Sequence, residues 1–301
     1  MLKVLASDGL ENSAVQQLET LGYEVERKFY EPEDLAKAVQ NCDVLVVRSA
    51  TKVRVPTIDA AAAAGRLKLI IRAGVGTDNI DVAYAREKGI AVNNAPSASS
   101  ASVAELAIGH MFSIARHIYI ANVTMREGKW EKKKYEGIEL AGKTLGVVGM
   151  GRIGHCVAQK AHALGMNVIY NSATKRETID GLFPYVPLEE LLARCDFVSL
   201  HVPKTDKPIL GAEEIAKMKD GAYVVNTGRG NLLDEEALMD ALDSGKLSAA
   251  ALDVFAEEPT KNERLYTHPK ISLTPHVGAS SAEAQTRIGE EVVTVITNHF
   301  A

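Results

Sequence analysis

At 301 residues and 46% apolar content the chain is long enough for two buried cores, and two domains are the expectation at this length. A formal net charge of −5 and a pI near 5.9 exclude the basic excess of a nucleic-acid surface, and no uncharged apolar run reaches the roughly 20 residues of a membrane span. The N-terminus MLKVLASDGL has neither an apolar h-region nor a small-residue cleavage site, so a cytoplasmic protein acting on a small molecule is expected.

Short β-rich runs alternate with amphipathic segments from the start. KVLAS precedes a helical pattern over 11–21, YEVE precedes 32–40, DVLVVRS precedes 56–64, LKLIIRAG precedes 81–88, and IAVNN follows. Continuous apolar strands interleaved with helices indicate a parallel sheet covered on both faces, so residues 1–94 read as one doubly wound unit. The Asn, Pro and Ser cluster of NAPSASSASVAE marks a helix start. The periodic run after it, about 101–120, predicts one helix crossing between domains. A second unit opens at KTLGVVGMGRIGHCVAQKAHALG, residues 143–165, and continues through NVIYN, FVSLH, AYVVNTG, AALDV and ISLTPH. Seven such segments are expected to form a second parallel sheet. The last periodic segment, 280–299, has no strand after it and is expected to return to the first unit. The fold class is therefore α/β with two doubly wound, Rossmann-like domains. Cys42, Cys156 and Cys195 have no CxxC spacing and read as reduced, buried thiols, with no metal site among them.

Gly149, Gly151 and Gly154 form G-x-G-x-x-G directly after a strand and before a helical pattern. Such a loop needs a tight turn, a backbone that approaches pyrophosphate, and close helix packing, so it predicts a dinucleotide site with Arg152 and Ile153 at the helix N-terminus. The same fingerprint expects an acid about 20 residues on for the adenosine ribose. Here Asn171 and Ser172 stand there, followed by Lys175 and Arg176. NAD is the expected cofactor, and NADP is the alternative because a basic strand end accepts a 2′-phosphate.

Three segments end at the carboxyl edge of the second sheet: NTGRG with Arg229, ALDVFAEEP with Asp253 and Glu258, and LTPHVGAS with His276. An imidazole beside a carboxylate serves as a proton donor near neutral pH, and an arginine offers a fork to a substrate carboxylate. Each residue also has a bland reading, His276 as a structural histidine and Glu258 as a solvated turn acid. The glycines flanking Arg229 suggest surroundings kept open for a ligand.

GMGRIG, NTGRG, ALDVFAEEP and TPHVGAS, in this order and spacing, resemble the D-isomer-specific 2-hydroxyacid dehydrogenases. VVRSATKV, IIRAGVGTDNID and GKWEKKKYEGIELAGKTLGVVGMGRIG are similar to its phosphoglycerate dehydrogenase branch, and the resemblance covers essentially the whole chain. It implies oxidation of D-3-phosphoglycerate to 3-phosphohydroxypyruvate, the first step of phosphorylated serine biosynthesis, with NAD as hydride acceptor. His276 is then the acid/base, Glu258 its partner and Arg229 the carboxylate ligand. Asp253 contacts the nicotinamide carboxamide, and His201, Thr227 and Gly278 line the cofactor groove. Val75 and Gly76 offer backbone N–H groups to the substrate carboxylate, and Arg48 and Arg72 hold its phosphate. Lys132 reaches in from a partner subunit of a homodimer formed through the cofactor domain, although KWEKKK also reads as a solvated charged face. Ser99 stands where many relatives carry an asparagine, as a candidate substrate contact.

The resemblance further implies a discontinuous substrate domain, 1–94 plus 278–301, around a dinucleotide-binding domain, 95–277. Because the sequence ends at Ala301, no C-terminal regulatory domain is expected. An NADP-dependent glyoxylate or hydroxypyruvate reductase is the alternative favoured by Lys175 and Arg176. A dinucleotide-sensing transcriptional co-regulator, from another class, would have a degenerate site, whereas Arg229, Glu258 and His276 are all present.

Overall fold

The computed structural model describes residues 1–176 and 181–301. The chain separates into two units, one formed by 1–99 with 279–301 and the other by 100–278. These divisions fall within a few residues of the expected 94/95 and 277/278.

In the first unit β1 (Lys3–Ala6), α1 (Asn12–Thr20), β2 (Glu24–Arg27), α2 (Pro32–Ala38), β3 (Val44–Val47), α3 (Val55–Ala64), β4 (Leu69–Arg72), α4 (Val82–Glu87) and β5 (Ala91–Asn94) alternate strand and helix. All pairings are parallel, in the order β2-β1-β3-β4-β5. Successive strand residues point to opposite faces, so each four-residue apolar strand feeds two cores. Leu5, Leu45, Val47 and Ile70 enter a core with Leu35, Ile58 and Ala85 from α2, α3 and α4. Val4, Ala6, Val44, Val46, Leu69 and Ile71 enter the other, closed by Ala14 and Leu18 of α1 and by Ile288, Val292 and Ile296 near the C-terminus.

The second unit holds α5 (Ser100–Ala115), α6 (Ile118–Arg126), β6 (Thr144–Val148), α7 (Arg152–Ala163), β7 (Asn167–Asn171), α8 (Leu188–Arg194), β8 (Phe197–Leu200), α9 (Ala212–Lys217), β9 (Ala222–Asn226), α10 (Glu235–Asp243), β10 (Leu247–Leu252), α11 (Glu263–Tyr266) and β11 (Ile271–Leu273). Its parallel sheet runs β11-β10-β9-β8-β6-β7. Among the described residues that is six strands, one for each apolar run named above and one fewer than expected. The predicted helix over 101–120 is also corrected: it stops at Ala115, and His117 at φ 54° begins a separate α6. The contacts of α5 are with α6, α7, β9, β10 and β11, all in this unit. The last helix, α12 (Ala282–Phe300), packs on α1 of the first unit.

Cys42 and Cys195 are buried, and burial pushes both thiols up to about 12, so they are inert packing groups. Cys156 is half-buried. Among the described residues no helix is long and apolar enough to cross a membrane.

Candidate active site

The glycine loop after β6 is shaped by what side chains would strike. Gly149 turns at φ 97°, and a Cβ there would lie 2.6 Å from the His201 carbonyl oxygen; one on Gly154 would lie 2.0 Å from the Gly149 carbonyl oxygen. A Cβ on Gly151 would meet nothing within 4 Å. Two glycines thus seat the turn against the end of β8 and under α7, and the third leaves space over the first turn of α7. There Arg152 and Ile153 begin the helix with no side-chain cap, so the amide end and the helix dipole suit a pyrophosphate. The strand order reverses at β6, between β7 and β8, which is where doubly wound sheets take ligands.

Beyond the strand ends, Thr227 Oγ1 and His201 Nδ1 are buried with no hydrogen-bond partner among the described residues. A buried polar atom left unpaired costs about 1–3 kcal/mol, so both atoms fit a bound group that completes them. The other ring nitrogen of His201 lies 2.8 Å from Ser199 Oγ, and burial holds this imidazole down at about 4, hence neutral. At the end of β7 the Asn171 amide donates to the Val186 carbonyl at 3.0 Å. Half-buried Ser172 and exposed Lys175 and Arg176 follow it at the same strand end. A nicotinamide dinucleotide therefore fits the residues present.

His276 sits at φ 53°, in the left-handed region that non-glycine residues seldom adopt. Its Nδ1 lies 2.7 Å from Glu258 Oε2, and both side chains are 35% exposed. Burial works to raise the Glu258 carboxyl. The hydrogen bond and charge of His276, the Phe255 N–H and the Arg229 charge outweigh it and leave the group below its usual range. With Nδ1 engaged, Nε2 is the nitrogen able to meet a substrate.

Arg229 is placed by Asn226, the buried last residue of β9, whose amide donates to the Arg229 carbonyl at 2.8 Å and whose Oδ1 accepts from the Gly228 N–H at 3.1 Å. The flanking glycines serve a different purpose from the one expected. A Cβ on Gly230 would lie 1.9 Å from the Phe255 carbonyl group, and one on Gly228 would lie 2.9 Å from the Leu200 carbonyl oxygen. They let the Arg229 loop press on the backbone leading to Glu258, rather than keeping space for a ligand. Gly230→Ala is expected to lower the melting midpoint of the second unit by roughly 4–10 °C, the effect of about 1–3 kcal/mol of overpacking at this size. Calorimetry with an unchanged midpoint would contradict that packing role.

Asp253 is 1% exposed. Its Oδ1 accepts from Thr274 Oγ1 at 2.6 Å and the Val277 N–H at 2.8 Å, and its Oδ2 accepts from the Gly278 N–H at 2.9 Å. The Gly278 carbonyl accepts from Ser102 Oγ at 2.7 Å. Asp253 and Gly278 are thus parts of the scaffold that holds the His276 turn.

In the first unit the strand order reverses between β1 and β3, and Arg48 follows β3 at that point. Asp8 Oδ2, after β1, accepts from the Arg48 N–H at 2.7 Å and the Thr51 N–H at 3.0 Å. Asn79 donates to the carbonyls of Arg48 and Thr51 at 2.7 Å each, and Asn94 donates to the Val75 carbonyl at 2.5 Å. These amides and Asp8, none of them expected from sequence, tie the loops that carry Arg48, Val75 and Gly76. Arg72 curls back over its own loop: its Nη1 is 3.4 Å from the Ala73 carbonyl oxygen and occupies the place a Cβ on Gly74 would take. Ser99 is 1% exposed. Lys132 is exposed, in a short 3-10 turn of the second unit.

Known proteins are similar to this chain in sequence and fold. Residues 108–278, more than half of the chain, match the family model for the D-isomer specific 2-hydroxyacid dehydrogenase, NAD binding domain. A hydroxypyruvate reductase of Thermotoga maritima is 50% identical over 299 residues, 97% of this chain and 96% of that protein. A D-3-phosphoglycerate dehydrogenase of Methanocaldococcus jannaschii is 47% identical over the whole chain, which spans 59% of that longer protein. Among solved structures, D-lactate dehydrogenase from Aquifex aeolicus, complexed with NAD and lactic acid, superposes with a TM-score of 0.86 at 29% identity, covering 99% of this chain and 95% of that one. With a histidine–carboxylate pair, an arginine and a glycine cradle on the matched segment, the chain belongs to the D-isomer-specific 2-hydroxyacid dehydrogenase family of oxidoreductases.

Proposed function

We propose that this protein oxidises D-3-phosphoglycerate to 3-phosphohydroxypyruvate and catalyses the reverse reduction, with NAD as its dinucleotide. The observation that carries the chemistry is the 2.7 Å contact of His276 with Glu258, whose carboxylate also feels the Arg229 charge. The dinucleotide, when bound, takes up the C2 hydride in oxidation and gives it back in reduction. Gly149, Gly151, Gly154 and the first turn of α7 hold its pyrophosphate, and Thr227 and His201 complete their hydrogen bonds on it. Ser172 contacts its ribose.

During oxidation His276 Nε2 removes the hydroxyl proton of the substrate as the C2–O bond becomes a carbonyl. In reduction the same nitrogen returns that proton. Glu258 fixes the tautomer and stabilises the imidazolium. Arg229 receives the substrate carboxylate on its guanidinium fork and draws electron density from C2. In the first unit Val75 and Gly76 offer backbone amides of the kind a carboxylate takes, and Arg48 and Arg72 are cations of the kind a phosphorylated substrate requires. Arg48 is favoured by its place at the switch point of its sheet. The enzyme acts as a cytoplasmic homodimer joined through its second unit, with Lys132 of each copy serving the other. Exposed Met125 and Trp130, which line a cavity together with Lys132, support that surface.

A second reading, reduction of hydroxypyruvate with NADPH, is supported by the Thermotoga relative, by Lys175 and Arg176, and by the folded-back Arg72. Steady-state kcat/KM for 3-phosphohydroxypyruvate against hydroxypyruvate separates the two. A phosphate preference of about 10²-fold or more is expected, as two charge-assisted contacts would give, and a preference for hydroxypyruvate favours the second reading.

Glu258→Gln is expected to move the pH at which reduction falls off to lower values, because losing the carboxylate favours the neutral imidazole. The wild-type pair has the opposite limit. Glu258 is held below its usual carboxylate range, so its contribution is present above that range and is lost as pH falls through its lowered value. A reduction profile identical in Glu258→Gln and wild type would remove Glu258 from the acid/base pair.

A further inference from the structure

Beneath the turn that carries His276 lies a row of polar side chains that the reaction described above leaves unused. His110 on α5 is 3% exposed, with Nε2 2.9 Å from Thr274 Oγ1 and Nδ1 3.5 Å from Ser272 Oγ. Ser113, three residues along the same helix face, places its Oγ 3.1 Å from Ser272 Oγ. Thr274 Oγ1 in turn meets Asp253, which also gathers the Val277 and Gly278 amides.

Counting hydrogens gives this row a direction. With three donors converging on it, Asp253 is the acceptor, so the Thr274 hydroxyl hydrogen points to Asp253. Thr274 Oγ1 then has only lone pairs for His110, and the imidazole hydrogen sits on Nε2. Nδ1 is left to accept from Ser272, and Ser113 donates to Ser272. Burial holds His110 below its ordinary range against the pull of the Asp253 charge, which keeps the ring neutral with one N–H. The neighbouring buried positions of α5, Ala104, Ala107, Met111 and Ile114, are apolar, and a leucine at 110 would continue them. A buried histidine there needs another reason.

We propose that His110 is a positioning residue: by orienting the Thr274 hydroxyl onto Asp253 it holds the 274–278 turn, and with it the His276 imidazole, in its left-handed conformation. Such a conformation persists only where the surroundings over-determine it. Asp253 on two amides, Ser102 on the Gly278 carbonyl and His110 through Thr274 do so here. The inference rests on the acid/base role of His276 proposed above.

The test combines turnover of His110→Leu, His110→Gln and Thr274→Val, on whichever 2-keto acid the wild type reduces, with amide hydrogen exchange at Val277 and Gly278. His110→Leu is expected to lower kcat about tenfold, the equivalent of one buried hydrogen bond, with KM for keto acid and nucleotide within about twofold. Exchange at the two amides rises in parallel. His110→Gln, whose amide can donate to Thr274 and accept from Ser272, restores both readouts to within about threefold of wild type. Thr274→Val reproduces the loss, and adding His110→Leu to it changes nothing further. Unchanged kcat and exchange in His110→Leu overturn the proposal. So do equal losses in the Leu and Gln variants, or a further loss when His110→Leu joins Thr274→Val. If His110→Leu does not fold, Thr274→Val decides: lowered kcat with raised exchange supports the proposal, and wild-type values overturn it. If the wild type reduces no 2-keto acid, the dehydrogenase reading fails, while exchange still decides whether His110 holds the turn.

Discussion

His276→Gln is expected to lower kcat for 2-keto acid reduction by about 10²–10⁴-fold, the range for removing a positioned general acid. Dinucleotide affinity, measured by fluorescence titration, should stay within about threefold, because the glycine cradle and α7 are untouched. The loss falls on kcat because His276 supplies the proton. His201, after β8 of the same sheet, is held neutral at about 4 by burial and is a poor replacement acid. The side chain at 276 already occupies a left-handed backbone that Asp253 maintains, so glutamine inherits the position and loses only the proton transfer. A His276→Gln enzyme retaining more than about a tenth of wild-type kcat would place the acid elsewhere.

Arg229→Ala is expected to lose roughly 10³-fold in kcat/KM, about 4 kcal/mol, as truncation of a charge-paired arginine at a desolvated site typically does. Arg229→Lys should recover little of it, because an ammonium lacks the planar fork that meets both carboxylate oxygens. Both variants should fold. The loop geometry depends on Asn226 and on the glycines packed against Phe255 and Leu200, while the guanidinium is half-buried and bonds the Gly228 carbonyl. Removing Arg229 also takes away one of the charges that hold Glu258 low. Strong residual turnover in Arg229→Ala would sink its role on the substrate carboxylate.

The strand and helix pattern was legible because parallel sheets covered on both faces demand uninterrupted apolar runs, and VLVV of β3 and AYVVN of β9 are such runs. The break before α6 was not, since the apolar period runs on past His117 and only its left-handed backbone angle marks the end. The site was legible at the level of residue types. NTGRG, AEEP and TPH announced an arginine, an acid and a histidine on successive strand ends, and the structure puts Glu258 on His276.

What sequence could not give was the direction of individual hydrogen bonds. No local pattern shows that Asp253 gathers the Thr274 hydroxyl and the Val277 and Gly278 amides around the left-handed His276 turn. Asn171 is engaged by Val186 beside an isolated bridge that pairs Tyr170 of β7 with Tyr185. Gly230 answers to Phe255, whose backbone is brought there by the tertiary fold alone. In each case the deciding partner lies far along the chain or depends on one dihedral, and neither leaves a local pattern.

The most direct test is initial-rate reduction of 3-phosphohydroxypyruvate, hydroxypyruvate and glyoxylate, each with NADH and NADPH, by wild type beside His276→Gln. Turnover by wild type, fastest in kcat/KM with 3-phosphohydroxypyruvate and NADH and nearly abolished in His276→Gln, is expected. No turnover of any of the three with either nucleotide, or equal turnover in the variant, would contradict a dehydrogenase built on the His276–Glu258 pair.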